Sequence, residues 1–164
     1  MKIFDLLIPE FSKTVAGNSP FPDYFYDDDS LLEATLLDLM HYTLDSTTAL
    51  LFDLRTAMYL SDGNTMVIVF RGVKDVVLTD KLTIRHVWMI GDSRFSKTDE
   101  GVKLQLPLME RNISIAAQKL DVYIGNAKNI GEIGTSLDEG IMDYLQTTPH
   151  WESAFEVITS SEWK

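Results

Sequence analysis

A rhythm of two residues runs through the middle of the chain and limits what it can fold into. Val102, Leu104, Leu106 and Leu108 alternate with Lys103, Gln105 and Pro107. Leu82, Ile84, His86, Trp88 and Ile90 alternate in the same way with Thr83, Arg85, Val87 and Met89. Successive side chains of an extended strand point to opposite faces, so this pattern predicts strands with one face buried. Phe52, Leu54, Met58 and Leu60 keep the rhythm, broken by Thr56, and Ser61-Asp62-Gly63-Asn64 reads as a turn into the continuous apolar run Met66–Phe70. Two apolar segments joined through Asp-Gly predict a β-hairpin. Ile113 and Ile115, then Leu120, Val122 and Ile124, give one more strand, and the phase change at Ala116-Ala117 predicts a bulge. Residues 91–101 read as a connecting loop.

Helical periodicity brackets this region. Ser30 with Glu33 has the form of a capping box, and Leu32, Leu36, Leu39 and Met40 fall on one helical stripe, which predicts a helix over 31–41. Ser136 with Glu139, followed by Leu137, Ile141, Tyr144 and Leu145, repeats the pattern before Pro149, with Gly140 weakening it. Residues 151–158 suit a tail strand or a docked extended segment. The expected fold is therefore α+β. Its core is an antiparallel β-sandwich or partly closed barrel of about seven strands, with one N-terminal and one C-terminal helix. At 164 residues without an evident linker or repeat, one domain is expected over 1–164. It divides into an irregular lead-in (1–29), a helix plus β core (30–125) and a C-terminal helix and tail (126–164).

Charge is distributed in three blocks. Residues 1–50 carry nine Asp/Glu against two Lys/Arg, residues 51–120 eight against ten, and residues 121–164 eight against two, giving −11 in total. Such a charge repels nucleic acid and anionic membrane surfaces at long range and favours a basic protein partner. The absence of cysteine removes disulfides and thiolate chemistry and suits the cytoplasm. The short apolar start, broken by Asp5 and Pro9, does not read as a secretory leader, and no stretch reaches the length of a membrane span.

No catalytic motif emerges. His41, His86 and His150 lack metal-ligand spacing, Gly125, Gly131 and Gly134 do not make a dinucleotide fingerprint, and Gly91-Asp92-Ser93 lacks the second glycine of a nucleophile elbow. His86, in phase with Ile84 and Trp88, reads as a core histidine. Neither a cofactor nor a metal is expected, since the consecutive carboxylates Asp27, Asp28 and Asp29 point in different directions. Acids are also favoured at a helix entry, so helix physics alone accounts for much of this cluster and for Asp138, Glu139 and Asp143. As functional residues, these six acids would be partner contacts, with Tyr24 and Tyr26 as aromatic anchors. Among the arginines of the middle block (Arg55, Arg71, Arg85, Arg94 and Arg111), Arg71 and Arg85 are the candidates for binding a carboxylate or phosphate.

Four phrases, Phe52–Ala57, Arg71–Val73, Leu120–Gly125 and Trp151–Phe155, together resemble a group of small, uncharacterised bacterial proteins of helix-plus-β build, over roughly residues 30–158. That resemblance implies a bacterial cytosolic protein and carries no active site. In general character the chain also looks like the immunity proteins that neutralise bacterial toxins, which are small, acidic and single-domain. The expectation is a non-enzymatic inhibitor of a basic toxin or nuclease. The alternatives are an anion- or small-molecule-binding domain and a subunit of a larger assembly.

Overall fold

The apolar run Met66–Phe70 has no polar face, and the computed structural model shows why it needs none. The strands are β1 (Thr35–Tyr42), β2 (Thr47–Asp53), β3 (Thr65–Asp80), β4 (Trp88–Met89), β5 (Arg94–Thr98), β6 (Gly101–Pro107), β7 (Arg111–Ala127) and β8 (Phe155–Trp163). They form one antiparallel sheet in the order β4-β1-β2-β3-β7-β6-β5, with β8 also paired to β7. The structure describes residues 1–15, 25, 27–80, 88–108, 111–131 and 147–163. Within β3, Met66, Ile68 and Phe70 enter one hydrophobic cluster, while Val67 and Val69 enter another on the opposite face. Both faces are covered, so both sets of side chains are apolar.

The larger cluster draws Leu50 and Phe52 from β2, Leu104 and Leu106 from β6, and Ile115, Leu120 and Val122 from β7. Phe95 of β5, Phe25 and Trp163 of β8 join it, with the Phe25 and Phe95 rings edge to face at 5.1 Å. The smaller cluster is roofed mainly by pieces outside the strands, together with the first residue of β8. A 3-10 helix (Ile3–Leu7) contributes Ile3, Leu6 and Leu7, and Trp151 and Phe155 come from the entry to β8. A short helix α1 (Pro9–Val15) follows directly on the 3-10 helix. The lead-in expected to be irregular thus contains ordered helical turns.

Two long strands hold the sheet together. β6 pairs with residues 112–117 of β7 and β8 with residues 120–127, so they occupy one edge of β7 in tandem while β3 takes the other. Phe70 pairs with Leu120 and Val73 with Ala117, and all four pack on the larger cluster. Both strands therefore shift phase together between these pairs. Gly72 sits there at φ 61°, where a Cβ would fall 2.6 Å from the Gln118 side chain. A register shift follows between Val73 and Asp75, opposite Ala117 and Ala116. The irregularity predicted at the two alanines lies on the partner strand.

Several expectations are corrected. The stretch expected to be a helix over 31–41 is a run of turns followed by β1. A bulge between Leu36 and Asp38 puts Leu36 and Leu39 on one face and Leu37 and Met40 on the other. Each same-face pair is three residues apart, a spacing that mimics one turn of helix. Ser30 caps no helix, and Glu33 stands at φ 63°, outside helical space. The strand expected over 52–60 lies earlier, as β2, and the hairpin closes through residues 54–64 rather than a four-residue turn. The loop expected over 91–101 contains β5, turning at Thr98–Gly101 into β6. The sandwich or partly closed barrel is not what forms among the described residues: one sheet does, and β4 and β5 leave its path open. The second expected helix, near 137–145, and the interior of the strand expected over 82–90 lie outside the described residues.

Candidate interaction surface

Asp27, Asp28 and Asp29 are all exposed. Phe25 is fully buried before them, and Ser30 and Leu31 are buried after them. Aspartate and serine favour turns, and here the Ser30 N–H donates to the Asp27 carbonyl and the Leu32 N–H to the Asp29 carbonyl. The Ser30 and Ser93 hydroxyls lie 3.1 Å apart in the interior. Ser93 donates to the Asp28 carbonyl from its N–H at 2.8 Å and from its hydroxyl at 3.2 Å. The three aspartates are thus displayed on a turn clamped from within. Nothing in the sequence marks Ser93 as the clamp, because its partner is sixty-odd residues away.

The arginines behave differently. Arg71 lies on the face of the smaller cluster, its Nε donating to Asp121 at 2.8 Å. Its Nη atoms donate to the Leu7 and Leu6 carbonyls at 3.1 and 3.0 Å. The guanidinium therefore ties the end of the 3-10 helix to the sheet. Burial pushes the nearby Tyr123 hydroxyl up to about 12, with the Asp121 charge adding to the effect. Arg55 grips Asp53 through Nε and Nη2 and donates to the Gly131 carbonyl. These are structural pairs: opposite charges deep in the fold holding segments together. An anion site on Arg71 would have to compete with its carboxylate.

Arg94 remains more exposed, with one contact to Asp92 at 3.1 Å. It borders a cleft of about 120 Å³ with Gln105, Asn112 and Ser114 on its rim. His41 shares its Nδ1 with the Thr48 hydroxyl at 2.7 Å. Among the described residues, no three His, Cys, Asp or Glu side chains gather to hold a metal ion, and no helix is long and apolar enough to cross a membrane. Tyr24, Tyr26, Arg85, His86, Asp138, Glu139 and Asp143 lie outside the described residues.

Fold and surface together define a class: an antiparallel-sheet protein of α+β character that displays a hydrogen-bonded acidic turn at one end of its sheet. Comparison with protein-family models, with curated proteins and with solved structures found no match.

Proposed function

We propose that the chain is a non-enzymatic, acidic binding protein of the bacterial cytoplasm, an immunity or inhibitor protein that neutralises a basic toxin or nuclease. The observation that carries this reading is the clamped turn bearing Asp27, Asp28 and Asp29. Three exposed carboxylates on a backbone already fixed by buried groups meet a cationic surface with little further ordering, and ordering is a main cost of association. Opposite charge also steers the encounter and suppresses wrong partners. A nuclease needs cationic groups to hold its own substrate, and an acidic inhibitor can occupy the same groups. Tyr24 and Tyr26, next to the turn in sequence, are the aromatic anchors of this reading, and Asp138, Glu139 and Asp143 are its second acidic set.

The test is association with the product of the adjoining gene, measured at several salt concentrations. The association rate is expected to fall steeply with salt, and Asp27→Asn, Asp28→Asn and Asp29→Asn together should lower it about tenfold or more. Unchanged binding by this triple variant would overturn the assignment to the turn.

A further inference from the structure

We propose that the partner is held at the end of the sheet where β1 begins and β2 ends, and that it presents an amphipathic basic segment in which Lys or Arg side chains flank aliphatic ones. This rests on the acidic-binding reading and names the kind of surface that binding would need.

Three chain segments are stitched together at this end. The Met58 N–H donates to the Leu32 carbonyl at 3.0 Å, and the Thr56 hydroxyl to the Glu33 carbonyl at 2.7 Å. The Glu33 N–H donates to the Ile90 carbonyl at 2.9 Å, and the Ile90 N–H to the Ala34 carbonyl at 2.8 Å. With the bond from Ser93 to Asp28, residues 27–34, 56–58 and 90–93 form one unit. Thr65 pairs with Asp53 and closes the loop that carries Asp62 at the same end.

Two kinds of side chain emerge from this unit. Asp27, Asp28, Asp29, Glu33 and Asp62 are exposed carboxylates. Across residues 27–64 the sole Lys or Arg is Arg55, and Asp53 holds it. Within that stretch the acids have no second cation to quench them, and Arg94, beside Ser93, is turned to Asp92. Among these acids stand Met58, Tyr59 and Met89, which are 55%, 58% and 56% exposed. A solvated acidic ridge has no use for three large apolar side chains. Leu44 is exposed too, but it stands on the β1–β2 turn at the other end of the sheet, and such single residues are ordinary. Methionine and tyrosine are enriched in binding surfaces, where a flexible thioether adapts and a phenol ring supplies area with a polar tip. Apolar contacts surrounded by uncompensated carboxylates complement a segment with aliphatic side chains between cations.

The test uses two synthetic peptides of equal charge, an amphipathic one of alternating Lys and Leu and an oligo-lysine. Binding to the full chain is followed by calorimetry and backbone amide shifts. The Lys-Leu peptide is expected to bind about tenfold tighter than oligo-lysine, shifting amides in 27–33, 56–59 and 88–93. Met58→Ser with Tyr59→Ser should remove that tenfold advantage and leave oligo-lysine binding unchanged. Both side chains are exposed, so thermal melting of the double variant should match the parent. Equal affinity for the two peptides, or shifts confined to another surface, would overturn the proposed site while leaving an acidic binding protein. Failure of both peptides to bind at low salt would overturn the acidic-binding reading as well.

Discussion

The two faces of the sheet are built from the same strands, yet they are closed in different ways. On the face of Phe52, Ile68 and Val122, strand residues make up most of the cluster, and Phe25, Leu31, Leu54, Leu60 and Ile90 join it from turns tied by the uncharged bonds between Ser93 and the Asp28 carbonyl. On the face of Leu51, Val67 and Tyr123, the cover is a 3-10 helix and the approach to β8. Such pieces end in carbonyl and N–H groups with no ladder partner, and a buried unpaired one is costly. That face accordingly carries polar fasteners. Arg71 joins Asp121 to the Leu6 and Leu7 carbonyls, and the Trp151 indole N–H donates to Asp38 at 2.7 Å. The turns on the first face are tied by uncharged hydrogen bonds, and the pieces over the second by bonds to the charged groups Arg71, Asp121 and Asp38.

The difference can be broken at its apolar side first. Phe52→Ala should cost about 4 kcal/mol by opening a cavity in the larger cluster. A urea-melt loss below about 1 kcal/mol would show that this face is not closed by packing. On the other face, Arg71→Met should cost about 3 kcal/mol, because it leaves Asp121 buried without its cation and two carbonyls without donors. Adding Asp121→Leu should recover much of that loss in denaturant titrations, since the unpaired charge is then gone. If the double variant is as unstable as the single one, the carbonyl contacts rather than the ion pair hold the helix.

Tyr123 sharpens the contrast through pH. Its folded hydroxyl titrates near 12 against an ordinary value of 10, so between these limits the unfolded chain loses a proton that the folded chain keeps. Its contribution is full below pH 10 and disappears as pH rises towards 12, by up to about 2.5 kcal/mol. Tyr123→Phe should flatten the alkaline fall in stability relative to the parent, and an identical slope in both would refute the assignment. The smallest effect is expected at the acidic turn. Glu33→Gly relieves a left-handed backbone and should raise stability by about 0.5 kcal/mol after the added freedom of glycine is counted. A clear drop in melting temperature would mean that the Glu33 side chain has a structural partner.

Sequence periodicity was a reliable guide where strands are regular. β6 buries Val102, Leu104 and Leu106 as the alternation predicts, and Met66–Phe70 is buried on both sides. It failed where the strand is irregular: the bulge in β1 produced a three-residue spacing indistinguishable from a helical stripe. Ser30 completed the illusion, because serine, which caps helices, also favours turns. The candidate surface was half legible. The three aspartates stood out in the sequence, but Met58 and Tyr59 looked like continuation of a strand, and Ser93 joins them through a contact that no local pattern encodes.

The tandem pairing along β7 has a consequence for how the molecule comes apart. Alternate residues of β2, β3 and β7 serve the two clusters, so these three strands cannot be lost from one cluster and kept by the other. Loosening the roof over Tyr123 can release the 3-10 helix alone, a local opening. Losing β7 takes the ladders to β3, β6 and β8 with it. The sheet is therefore expected to melt as one unit, with both hydrophobic faces lost in a single cooperative event.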